Sequence, residues 1–132
     1  GGRLAIVDKR RASATETKQE NIIGGPLDGR VALMFDDMIS TAGSICGAAR
    51  LVQEAGAREI HVAATHGILC GPAMERLHDA PITSVVLTDS VPLPDDRKIP
   101  QIKILTVAPL LAEAIKRIHH DQSISAIFGN GN

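Results

Sequence analysis

Residues 31–44 constrain the fold of this chain more than any other stretch. Val31-Ala32-Leu33-Met34-Phe35 is a continuous apolar run that ends in Asp36-Asp37. A loop of small residues follows, Ser40-Thr41-Ala42-Gly43-Ser44, and then Ala48, Leu51, Val52 and Ala55 recur at helical spacing, with Gly56 as C-cap. An unbroken apolar run of strand length reads as a central parallel strand buried on both faces. The caps and period behind it read as a helix. The unit is therefore strand, acidic pair, small loop, helix.

The same alternation continues along the chain. Leu4 to Asp8 reads as a buried strand, and Asn21 to Gly24 as a brief one. Residues 9–20 between them are polar and show no period, as a long loop does; loops of that length in compact domains often act as lids. Pro26-Leu27-Asp28-Gly29 signals a turn. Further strands are expected at Ile60–Thr65, Ser84–Thr88 and Ile102–Val107. Gly71-Pro72 opens a helix that carries Met74, Leu77 and His78 on one face, and Pro92 to Pro100 is a surface loop. Leu110, Leu111, Ala114, Ile115 and Ile118 give a strongly amphipathic helix, followed by a short apolar segment from Ser123 to Phe128. The pattern predicts an α/β fold: a mainly parallel, twisted sheet flanked by helices and joined by right-handed crossovers. One domain spans residues 1–128, with 129–132 a frayed tail.

Composition narrows the function. Fourteen basic and fifteen acidic residues in 132 give a net charge of −1, which excludes binding to nucleic acid or anionic membrane through bulk positive charge. The absence of Trp and Tyr removes the usual platform for base stacking. No apolar run approaches the ~18 residues of a membrane span. Two cysteines, Cys46 and Cys70, make no disulfide framework, so a cytoplasmic location is expected. An apolar strand that starts almost at the first residue, with no initiator Met, is expected of a piece of a longer protein.

The chemistry lies in the strand–loop–helix unit. Small residues let backbone N–H groups approach an anion, and the helix behind them adds unpaired donors and a positive dipole end. This is a cradle for one phosphate, formed by Ser40, Thr41, Ala42, Gly43 and Ser44. Asp36 and Asp37 at its mouth repel a phosphate but suit the hydroxyls of a neighbouring polyol, or a bridging Mg²⁺. Phosphate beside vicinal hydroxyls describes a sugar phosphate. A lone acidic pair at a strand end is more often a solvated charge; the full order of strand, acids, small loop and helix tips the reading towards a site.

Residues 31–45 resemble the phosphoribosyl-diphosphate (PRPP) binding loop of type I phosphoribosyltransferase-like proteins. More narrowly, the chain is similar to the C-terminal half of the ribose-phosphate diphosphokinase (PRPP synthetase) family. Asp8-Lys9-Arg10-Arg11, residues 65–73, residues 111–119 and residues 123–128 all resemble segments of that family, in order. The resemblance implies a phosphoribosyltransferase type I-like fold lacking its first strand and helix. It implies transfer of the diphosphoryl group of ATP to O1 of ribose 5-phosphate, giving PRPP and AMP, with Mg²⁺ as cofactor. In that frame Ser40 to Ser44 bind the 5-phosphate. Asp36 and Asp37 take the ribose hydroxyls, with the metal nearby, and Lys9 and Arg11 on a flexible loop at about 9–20 act on the transferring phosphates. Ser123 and Ser125 match an allosteric phosphate site. The partners implied are ribose 5-phosphate, ATP and further copies in a homo-oligomer, a hexamer for the full-length protein. Without the family's N-terminal half, little or no synthetase activity is expected of the isolated chain.

The chain departs from the family at Ser40, where Asp is common, and at Ser44, where Thr is usual. Two alternatives share the binding loop. One is a nucleotide-salvage phosphoribosyltransferase, which needs a hood for a base that two Phe and no Tyr or Trp hardly supply. The other is a non-catalytic synthetase-associated regulatory subunit, for which Lys9 and Arg11 have no use. His66 reads as a structural histidine and Cys46 as a small core residue.

Overall fold

The computed structural model describes residues 4–9 and 20–129. Two strands, β1 (Ile6–Lys9) and β2 (Glu20–Ile23), pair antiparallel as a two-stranded sheet. Four strands follow in a parallel sheet: β3 (Val31–Ile39), β4 (Glu59–Gly67), β5 (Ser84–Thr88) and β6 (Ile102–Leu105), in that spatial order. Helix α1 (Gly43–Glu54) links β3 to β4, α2 (Ala73–Asp79) links β4 to β5, and α3 (Ala108–His119) follows β6. Short 3-10 turns lie at Asp95–Arg97 and Ile124–Phe128. The alternating α/β pattern and the parallel sheet are those expected from the sequence.

Burial explains why these segments pair as they do. Ile60, Val62 and Ala64 of β4 and Val85 and Leu87 of β5 point alternately into one core. They meet Ile45, Cys46, Ala49 and Val52 of α1 and Ala73 and Leu77 of α2. Ala49 is wholly buried, and its small side chain lets α1 lie close against the sheet. Each large aliphatic residue removed from water here contributes about 1.5–3 kcal/mol. Gly56 ends α1 at φ +92°; an added Cβ would stand 2.8 Å from Asp28 Oδ1, and the Gly56 carbonyl accepts from Gly29 N at 2.8 Å. The turn at 26–29 is thus locked to the end of the helix.

Four sequence expectations are corrected. β3 is not a central strand buried on both faces: it is an edge of the sheet, with Leu33 59% and Phe35 74% exposed. Among the described residues no strand pairs with its outer edge, and α1 and α2 cover only the other face. The strand read at Leu4–Asp8 is not buried; Leu4 and Ile6 are exposed. β3 does not stop at the acidic pair but runs on to Ile39, because Met38 and Ile39 pair with His66 and Gly67 of β4. His78 does not share the buried face of α2 with Leu77; it is exposed beside Asp79. The last helix forms where expected, but none of its residues is buried, and it packs against the 3-10 turn at Ile124–Phe128.

Candidate functional site

Because β3 continues past Phe35, both acidic residues lie within a strand, and alternation sends their side chains to opposite faces. Asp36 lines a pocket of about 270 Å³ together with Met38, Ile39 and residues 40–45. Asp37 is not in that lining; its backbone N donates to Asp36 Oδ1 at 2.9 Å. The structure therefore brings Asp36 together with all of Ser40, Thr41, Ala42, Gly43 and Ser44, and leaves Asp37 outside the pocket wall.

The loop has an unusual backbone. Ala42, the N-cap of α1, is buried at φ 58°, in the left-handed region that costs a non-glycine residue about 1–2 kcal/mol. As an alanine it has no side chain with which to accept from the first-turn amides, and no acidic residue sits in that turn. Such a helix start favours an anion through its donors and its dipole. A larger groove of about 850 Å³, mostly apolar, opens alongside between the β1–β2 pair, β3 and α1, and shares Asp36, Ser44 and Ile45 with the small pocket.

The segment after β4 straps this loop. Ile68 N and Leu69 N donate to the Ile39 carbonyl at 3.0 and 3.1 Å, and Cys70 N donates to that of Ser40 at 3.0 Å. Ser40 Oγ and Cys70 Sγ lie 3.3 Å apart, and Arg76 Nη1 of α2 donates to the Thr41 carbonyl at 2.9 Å. Arg97 Nη1 holds the strap itself, donating to the Ile68 and Leu69 carbonyls at 3.2 and 2.7 Å. Sequence reasoning missed Cys70, Arg76 and Arg97. They lie 30 or more positions from the residues of the 40–44 loop that they hold, directly or through the strap, and no local pattern signals such contacts.

The other predicted residues fall elsewhere. Lys9 is the last residue of β1 and pairs in register with Glu20, so the chain leaves and re-enters this sheet at adjacent positions. Arg11, with the rest of residues 10–19, lies outside the described residues. Ser123 caps the 3-10 turn at Ile124–Phe128, its Oγ accepting from Ser125 N at 3.2 Å; neither serine lines the small pocket. His66 Nδ1 pairs with Ser90 Oγ at 2.9 Å, and His61 Nδ1 with Ser84 Oγ at 2.8 Å. Cys46 is buried, and that burial pushes its thiol above the usual range, against the lowering pull of Arg50 and Arg76.

The donor set also bears on Mg²⁺. Among the described residues no three His, Cys, Asp or Glu gather around one point. That set is too small for a cage built from protein alone. Asp36 in the pocket lining supplies one carboxylate, the kind of ligand that a Mg²⁺ site completed by substrate oxygens and water uses.

Comparison with known proteins identifies the family. The family described as phosphoribosyl synthetase-associated domain matches residues 5–129. A ribose-phosphate pyrophosphokinase of Rhodopirellula baltica is 70% identical over 128 residues, which is 97% of this chain and 40% of that protein. One from Bacillus subtilis is 45% identical over 125 residues, 95% of this chain and 39% of that protein. The crystal structure of phosphoribosylpyrophosphate synthetase from Mycobacterium smegmatis superposes with a TM-score of 0.74 at 37% identity, over 80% of this chain and 35% of that one. The chain thus spans about 40% of the length of these curated relatives.

Proposed function

Since the chain belongs to the phosphoribosyl synthetase-associated domain family, we propose that it forms the ribose 5-phosphate side of a ribose-phosphate pyrophosphokinase site. In that reaction O1 of ribose 5-phosphate attacks the β-phosphorus of ATP. The bond from that phosphorus to the α-phosphate oxygen breaks, AMP leaves, and O1 gives up its proton. The observation that carries the reading is the single pocket shared by Asp36 and residues 40–44 at the start of α1. Phosphate and polyol recognition stand side by side there.

Each residue then has a task. Backbone amides of the 40–44 loop and the dipole of α1 receive the 5-phosphate. Ser40, Thr41 and Ser44 add hydroxyls at the same loop. Asp36 accepts from a ribose hydroxyl in that pocket, and Asp37, on the opposite face of β3, is assigned to the sugar by the resemblance alone. Asp36 is also the residue that would hold Mg²⁺, which, when bound, supplies charge neutralisation to the transferring phosphates. Lys9 and Arg11 are assigned to those same phosphates, where cations offset developing negative charge and Arg grips two oxygens at once. ATP and further copies of the chain are partners in this reading. The pyrophosphokinase names of the relatives favour it over a base transferase.

Isothermal titration with ribose 5-phosphate, with and without Mg²⁺, tests the proposal. Calorimetry suits a chain without Trp or Tyr. Saturable binding is expected, weakened at least about tenfold by Asp36→Asn, which keeps the shape but loses a charged hydrogen bond. No heat from a sample that circular dichroism shows to be folded overturns it.

A further inference from the structure

We propose that Arg76 is a positioning residue for the phosphate loop: by holding the Thr41 carbonyl it aims the Ala42 amide at the bound 5-phosphate. This rests on the ribose 5-phosphate reading above. The argument starts from the peptide unit. In a trans peptide the C=O and the following N–H point in opposite directions, and no cis bond occurs among the described residues. Arg76 Nη1 lies 2.9 Å from the Thr41 oxygen. Fixing that oxygen on the α2 side turns the Ala42 N–H away from α2.

Two further observations show that the loop needs such a hold. Ala42 sits at φ 58°, a conformation that persists in a non-glycine residue only where its surroundings impose it. Gly43 leaves room for the guanidinium: an added Cβ would stand 3.1 Å from Arg76 Nη1, tighter than side chains normally pack. Arg76 in turn is not left to wander. It belongs to α2, whose Leu77 and Ala73 are buried in the core, and its own carbonyl accepts from Cys46 Sγ of α1 at 3.4 Å. One residue earlier the same loop is tied by Cys70 N, which donates to the Ser40 carbonyl at 3.0 Å. Successive carbonyls, of Ile39, Ser40 and Thr41, are thus all drawn towards the segment 68–76, which turns the Ala42 amide away from it.

The test compares the unsubstituted chain with Arg76→Met, which keeps the apolar stem without the donors, and with Arg76→Lys, which keeps a charge and a donor. Ribose 5-phosphate is the probe. Affinity is read by calorimetry, and the Ala42 amide by two-dimensional NMR on ¹⁵N-labelled chain. Arg76→Met is expected to weaken binding about tenfold, the worth of one charge-assisted hydrogen bond, and Arg76→Lys to recover most of it. The free Ala42 amide resonance is expected to move in Arg76→Met, and its shift on ligand addition to shrink. A merely structural arginine would alter thermal stability and leave the affinity and the ligand-induced shift of Ala42 in place. Should Arg76→Met lose its fold, Arg76→Gln takes its place. Equal affinity and an unchanged ligand-induced shift of Ala42 in the Met or Gln variant overturn the role of Arg76 while the site stands. Failure of the unsubstituted, folded chain to bind overturns the ribose 5-phosphate reading, and this inference with it.

Discussion

Asp89 shows how much one exposed side chain can hold. It sits just beyond β5, and its Oδ1 accepts from Val107 N at 2.8 Å, which fastens the residue that begins α3. A hydrogen bond from Thr106, and then that from Val107, hold the carboxyl below the usual carboxylate range. The sign of the pH effect follows. The unfolded chain takes up a proton near the ordinary Asp value of about 3.9, before the folded chain does. The contribution of Asp89 is therefore complete above that pH and is lost as pH falls through the lowered folded value. Chemical denaturation between pH 7 and pH 3 should show the parent losing more stability than Asp89→Asn below about pH 4. Parallel curves for the two would contradict this. Nothing in the sequence marks Asp89, because its partners Thr106 and Val107 come to it only through the pairing of β5 with β6.

Among the elements, the sheet and its two covering helices hold the stability, while α3 adds little of its own. Leu87 on β5 is 1% exposed inside the core, whereas Ile115 on α3 is 68% exposed. Leu87→Ala should cost about 2–5 kcal/mol through lost burial and a cavity, and Ile115→Ala no more than about 0.5 kcal/mol. Urea titrations followed by circular dichroism compare them directly, and equal losses would mean that α3 is docked in solution. This contrast also shows what a sequence discloses. The strands at 60–65 and 84–88 were legible because alternation is a local property, and α1 because its period and Gly56 sit side by side. That residues 40–44 share one pocket was legible because Ser40 to Ser44 are contiguous. The setting of β3 was not. An apolar run records which faces a strand is suited to bury, not which neighbour covers them. The opposed directions of Asp36 and Asp37 follow from pairing with β4, and the strap through Cys70 and Arg76 from contacts across 30 or more positions.

The whole molecule is one-sided. α1 and α2 cover one face of the parallel sheet, and the other face presents Leu33 and Phe35, in register with His61 and Ala63 of the next strand. Leu110, Leu111, Ile115 and Ile118 of α3 are exposed as well. Monomeric proteins seldom show contiguous apolar patches beyond about 300–600 Å². Among the described residues no strand pairs with the outer edge of β3, and such an edge offers unpaired N–H and C=O groups to another chain. The unsubstituted chain should therefore associate as its concentration rises, and light scattering behind a sizing column would record the increase in mass. Leu33→Glu combined with Phe35→Lys leaves the net charge unchanged and places opposite charges two positions apart on the bare face. Those side chains lie mostly in water, so the core under α1 and α2 keeps its packing, and the far-ultraviolet spectrum should match that of the parent. The doubly substituted chain should run as a monomer at concentrations where the parent does not. If both run as monomers, this face is not sticky enough to drive association. If both associate alike, the contact lies elsewhere, with the apolar stripe of α3 the next surface to charge.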